Sequence, residues 1–150
     1  MGTTSELIDG FAALISAAGI AVWDPAGVYT ADQTGIFRKV LPPAPDRAIA
    51  LTIVDTSDDP TMPLGSKMLQ VRGRGVPGDP TDVDDLLDPI FTVLHGLTGI
   101  TVGSQTVIQC LRRISAPMGT DQSKRWERAD QYYLDVDAPP TDLRPERGAW

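Results

Sequence analysis

The stretch Pro117–Val136, PMGTDQSKRWERADQYYLDV, carries the reading of the fold. Gly119-Thr120-Asp121 has turn chemistry: glycine accepts a positive φ, and an aspartate carboxylate accepts from nearby backbone N–H groups. From there the side chains alternate. Trp126, Arg128, Asp130, Tyr132, Leu134 and Val136 share one face of a strand. Arg125, Glu127, Ala129, Gln131, Tyr133 and Asp135 share the other. Large residues on both faces set this strand apart from a half-solvated one. It is expected to bury one side and to meet something with the other, which points to work done by contact.

Outward from this strand, the most regular neighbour is Arg47–Val54, RAIALTIV, apolar on both faces and therefore expected at the centre of a sheet. Lys67–Arg74 returns as a strand, so the acidic, proline-containing run Asp55–Gly65 reads as a long exposed loop joining a hairpin. Gly35–Leu41 reads as a further strand, ended by the stiff Pro42-Pro43-Ala44-Pro45. Thr101-Val102 and Thr106–Ile114 are strand-like as well. Two helices frame these strands. The first starts at a Thr4 or Ser5 cap and runs to about Ala18, with Leu7, Ile8, Phe11, Leu14 and Ile15 in one stripe and Gly19 as its stop. The second starts at Asp79-Pro80 and carries Val83, Leu86, Leu87, Ile90, Phe91, Leu94 and Leu97, with Pro89 expected to kink it. The expected class is α+β: a mainly antiparallel sheet with two helices packed on one face. Residues 1–137 are expected to form one domain and residues 138–150 a flexible charged tail.

Bulk composition narrows the function. A net charge of −7 argues against a general nucleic-acid binder. No stretch approaches the roughly 18 apolar residues of a membrane span. MGTTSELIDG lacks the basic and apolar regions of a signal peptide. The single cysteine, Cys110, excludes an internal disulfide and lies in an apolar run, as a buried structural thiol would.

Catalytic constellations are weak. His95 is the only histidine and falls at the end of the second helix, where a capping role outweighs a catalytic one. Asp79, Asp82, Asp84, Asp85 and Asp88 cluster at that helix's start, but their spacing fits no calcium loop, and the helix dipole already favours carboxylates there. Arg72 and Arg74 read either as solvated strand-end arginines or as partners for acids on a neighbouring subunit. Exchanging both for glutamate is expected to block assembly and leave the fold intact. Arg112, Arg113, Lys124, Arg125 and Arg128 suggest a basic strip across adjacent strands, and arginine beside Trp126 and the tyrosines is interface-like composition.

In this order the pieces resemble the tail-terminator proteins of long-tailed bacteriophages, also labelled minor capsid or tail-completion proteins. The resemblance spans roughly residues 4–137. It rests on the amphipathic first helix, LPPAPDRAIAL, MLQVRGRG with its exit into GDPTDVDDLLDPIFTVLHGL, and PMGTDQSKRWERADQYYLDV. In the last piece Gly119, Asp121, Arg125, Glu127 and Tyr132 or Tyr133 hold the places of the family's ending. The resemblance implies a structural virion protein without enzyme activity or cofactor. It implies a homohexameric ring at the head–tail junction that caps the tail tube, ends its polymerisation and meets the head connector. DNA would pass the lumen without specific binding, helped by like charge. The expected contact residues are Asp58, Asp59, Met62, Arg72, Arg74, Arg125, Trp126 and Arg128. The competing reading is a small non-enzymatic protein-binding adaptor.

Overall fold

A computed structural model describes residues 2–62, 64–137 and 139–143. Eight elements follow one another: α1 (Thr3–Ala17), β1 (Gly35–Arg38), β2 (Ala48–Ser57), β3 (Leu64–Pro77), α2 (Asp82–Leu94), β4 (Ile100–Val102), β5 (Gln105–Thr120) and β6 (Arg125–Asp137). The six strands make one sheet in the order β1-β2-β3-β6-β5-β4. Only β1 and β2 run parallel; the other pairs are antiparallel.

The last strand behaves as its alternation predicts. Arg128, Asp130, Tyr132, Leu134 and Val136 are buried on one face, while Glu127, Gln131, Tyr133 and Asp135 on the other are half-buried. The buried face continues through Leu69 and Val71 of β3 and Ile49, Leu51 and Ile53 of β2. Against it lie Leu7, Ile8, Phe11 and Ile15 of α1 and Val83, Leu86, Leu87, Ile90 and Leu94 of α2. Each such side chain contributes about 1.5–3 kcal/mol by leaving water.

The expected α+β class, with two helices packed on one face of a sheet, is corrected. Strand outweighs helix, 44% to 20%, and the sheet curls. The reason is visible at α1. Asp9 pairs with Arg38 of β1, one edge of the sheet. On the same helix, Glu6 accepts from Ser104 beside β4, the opposite edge, and Gly10 sits so close to Val102 of β4 that a Cβ there would lie 2.0 Å from Cγ1. A flat six-stranded sheet is about 24 Å across. A helix about 10–12 Å wide reaches both edges only if the sheet wraps around it. The result is a mostly-β curled sheet that holds two helices; the mainly antiparallel pairing and the helix number stand.

Several boundaries also move. The loop read over Asp55–Gly65 is shorter, because β2 runs to Ser57 and β3 begins at Leu64. β5 continues through Pro117–Thr120, and the chain turns at Asp121–Lys124 instead. Lys124 takes φ 60°, and the Asp121 carboxylate accepts the N–H groups of Ser123 and Arg125, so the local chemistry expected of Asp121 is present. Gly119, at φ 78°, follows a register shift at Pro117, which explains a glycine inside a strand. α2 starts at Asp82, with Asp79 accepting from Thr81 just before it. Of the expected tail, Ala138 and residues 144–150 lie outside the described residues.

The buried face contains one polar atom without a partner among the described residues at its centre, the Tyr132 hydroxyl. Burial pushes its pKa above the ordinary tyrosine value. An unpaired buried hydroxyl costs stability, so Tyr132→Phe should leave the thermal midpoint unchanged or raise it. A melt shifted downward by several degrees would show that the hydroxyl is satisfied.

Candidate assembly interface

Two surface features and one buried network place the residues singled out from the sequence. The first is the tip of the β2–β3 hairpin. Asp58, Asp59 and Met62 are all exposed there, Met62 to 49%. Asp59 accepts the N–H and hydroxyl of Thr61, which hold its carboxyl below the ordinary value and keep it charged. Asp55 is paired with Lys67 at 2.5 Å, whereas Asp58 has no ion-pair partner among the described residues. Pro139, Pro140 and Thr141 line the same hollow as Asp58–Pro60.

The second lies at the far end of β3. Here the segment Lys39–Asp46, between β1 and β2, folds back against the β5–β6 turn. Arg74 is 3% exposed; its Nε donates to the Asp46 carbonyl at 2.8 Å, and Nη2 donates to the Pro42 and Pro45 carbonyls at 2.7 Å. Arg125 is 7% exposed and donates from Nε to Asp121, and from Nη1 to Asp46 and the Pro43 carbonyl. Burial opposes the charge on Asp121, but the Arg125 and Ser123 donors outweigh it and hold its carboxyl below the ordinary value. Arg72 is half-exposed and pairs with Glu127 at 2.5 Å. Together these residues border a cleft of about 590 Å³ lined by Lys39, Val40, Leu41, Pro43, Arg72 and Arg74 and by the turn Asp121–Ser123.

The network sits under α2. Arg128 makes a two-pronged pair with Asp130, both bonds 2.8 Å, and extends Nη1 to Asp84 and Asp88 of α2. Asp130, 1% exposed, also accepts from Ser115 and faces Arg112 at 3.6 Å. Bonding to Asp130 first, then to Asp88 and Asp84, raises the Arg128 pKa against the burial that opposes it. The acidic start of α2 is thereby explained as a clamp on strand cations: Asp82 takes Arg47, and Asp84 and Asp88 take Arg128. Among the described residues no cluster suits a metal ion.

The expected contact residues therefore divide. Asp58, Asp59, Met62, Arg72 and Trp126 (38% exposed) face solvent, whereas Arg74, Arg125 and Arg128 are occupied within the subunit. The expected basic strip does not form as one surface. Arg112 lies over Phe91, Arg113 over Tyr133 on the opposite face, and Arg128 lies beneath α2. His95 ends α2 and accepts the Arg112 backbone N–H at Nδ1, tying the helix to β5. Cys110 is fully buried, and burial pushes its thiol up to about 12, far from a nucleophile. Sequence reasoning did not single out Lys39 and Asp46, although the proline run beside them marked a rigid segment.

The profile of the bacteriophage tail terminator protein family matches residues 14–138, most of the chain, including the hairpin tip, the cleft and the Arg128 network. The chain belongs to the bacteriophage tail terminator family. Comparison with curated proteins gave no match. Membership makes the chain a structural protein of the phage tail. No helix among the described residues is long and apolar enough to cross a membrane. The surface and network described above are thus features of a tail terminator subunit.

Proposed function

We propose that this tail terminator acts by contact alone, as a homohexameric ring that caps the tail tube and ends its polymerisation. One face of the ring would meet the tube protein and the other the head connector at the head–tail junction, with no cofactor and no catalytic step. The observation that carries this reading is the family match over residues 14–138. A subunit whose two ends differ in charge adds support, because unlike ends favour the head-to-tail contacts that close rings. The net charge of −7 favours free passage of DNA through the lumen over its capture. The contact set on this reading is centred on Asp58, Asp59, Met62, Arg72 and Trp126, with Arg74, Arg125 and Arg128 holding the surface in shape.

Light scattering after gel filtration tests the reading. A species near six times 16.1 kDa, alone or after tail tubes are added, is the expected result. A protein that stays monomeric and leaves the ends of added tubes uncapped would overturn it.

A further inference from the structure

Resting on the ring reading, we propose that the cleft beside Lys39, Arg72 and Arg74 receives the acidic Asp58–Asp59 tip of the neighbouring copy. The cleft carries more positive charge than its own acids meet. Arg125 is matched by Asp121 and Asp46, and Arg72 by Glu127. Arg74, by contrast, donates hydrogen bonds to carbonyl oxygens and to no carboxylate among the described residues, and its Nη1 has no hydrogen-bond partner among them. Lys39, exposed at the rim with φ 68°, has no carboxylate partner there either. Burial, and then repulsion from Arg125, pull the Arg74 pKa below its ordinary value against the attraction of Asp121, Glu127 and Asp46, so Arg74 adds to the cleft's positive field from beneath while exposed Lys39 and Arg72 offer the direct contacts.

The tip supplies the complement. Asp58 and Asp59 are exposed on a hairpin end, Asp59 is kept ionised by Thr61, and Asp58 lacks a cation among the described residues. Tip and cleft lie at opposite ends of β3: Leu64 follows the tip, and Arg72 and Arg74 stand eight and ten residues on. At about 3.3 Å per residue the separation is about 26–33 Å, too far for the two to meet within one chain. A contact between unlike patches on successive copies is the head-to-tail kind that closes a ring. On a chain of net charge −7 most other surfaces repel the tip, so the contact also selects orientation.

The test is a charge exchange read by light scattering on the full chain. One variant carries Asp58→Lys and Asp59→Lys; the other carries Lys39→Glu and Arg72→Glu. Thermal melts confirm that both are folded, and Lys39→Glu alone, at an exposed side chain, serves where the pair disturbs Glu127. Each variant by itself should need at least tenfold more protein than wild type to assemble. Mixed in equal amounts they should recover, because the basic tip of one fits the acidic cleft of the other and six places alternate without mismatch. Variants that assemble as wild type does, or folded variants that fail to recover on mixing, would overturn the contact while leaving the ring intact. Variants that still form rings but no longer meet tubes would assign the cleft to the tube protein and overturn it equally. A wild-type chain that forms no ring alone or on tubes defeats the ring reading and this contact with it.

Discussion

Arg128→Ala should lower the thermal midpoint by on the order of 10 °C. The substitution removes both bonds to Asp130 and those to Asp84 and Asp88. It leaves a carboxylate that is 1% exposed with only the Ser115 hydroxyl in direct contact and Arg112 at 3.6 Å. Stripping one partner from a buried ion pair costs about 3–5 kcal/mol, because the remaining charge is cut off from water and keeps only the longer pair with Arg112. In a domain of this size each kcal/mol moves the midpoint by about 2–4 °C. Arg128→Lys should recover only part of the loss, since an ammonium cannot reproduce the planar fork. Replacing Arg128 with Met and Asp130 with Leu together should do less harm than Arg128→Ala, as no charge is then stranded. A calorimetric scan in which Arg128→Ala melts within 2 °C of wild type, on the scale of ordinary surface changes, would show that the network contributes little.

Arg74→Glu should be the most damaging single charge reversal in the cleft, with a loss on the order of 4 kcal/mol or failure to fold. The new carboxylate would face the Pro42, Pro45 and Asp46 carbonyl oxygens, which have no proton to give, at a site 3% exposed. The Lys39–Asp46 segment would then lose its anchor on β3. Arg72→Glu should be far milder, because that side chain is 45% exposed. The earlier expectation that both exchanges spare the fold is therefore revised for Arg74. Urea denaturation separates the two. An Arg74→Glu midpoint equal to wild type would show that the carbonyl contacts are dispensable.

Much of the fold is legible locally. The alternation of Trp126–Val136, the doubly apolar RAIALTIV and the α1 stripe ending at Gly19 all depend on residues within a turn or two of one another, and each becomes the expected element. The curl is not legible, because it depends on where α1 meets strands from both ends of the sheet. The role of the arginines is hidden for the same reason. Arg128 meets acids 40 and 44 residues away, and Arg125 meets Asp46 at a separation of 79. A sequence displays these charges without their partners, so arginines committed inside the subunit look identical to arginines offered to a neighbour. The hairpin tip is the contrary case: its acids and turn residues are exposed by their local chemistry, and they are found exposed.

The reach of α1 has a bearing on how the chain is made. Its bonds to the start of β5 join residues 98 to 102 positions apart. A growing chain emerges from the ribosome N-terminus first, so this helix waits uncovered on one flank until more than two thirds of the sequence has been synthesised. Closing so large a loop is slow compared with forming hairpins. The clasp between the two sheet edges thus becomes a late event in biogenesis. A prematurely ended chain lacking β4 and β5 cannot close it.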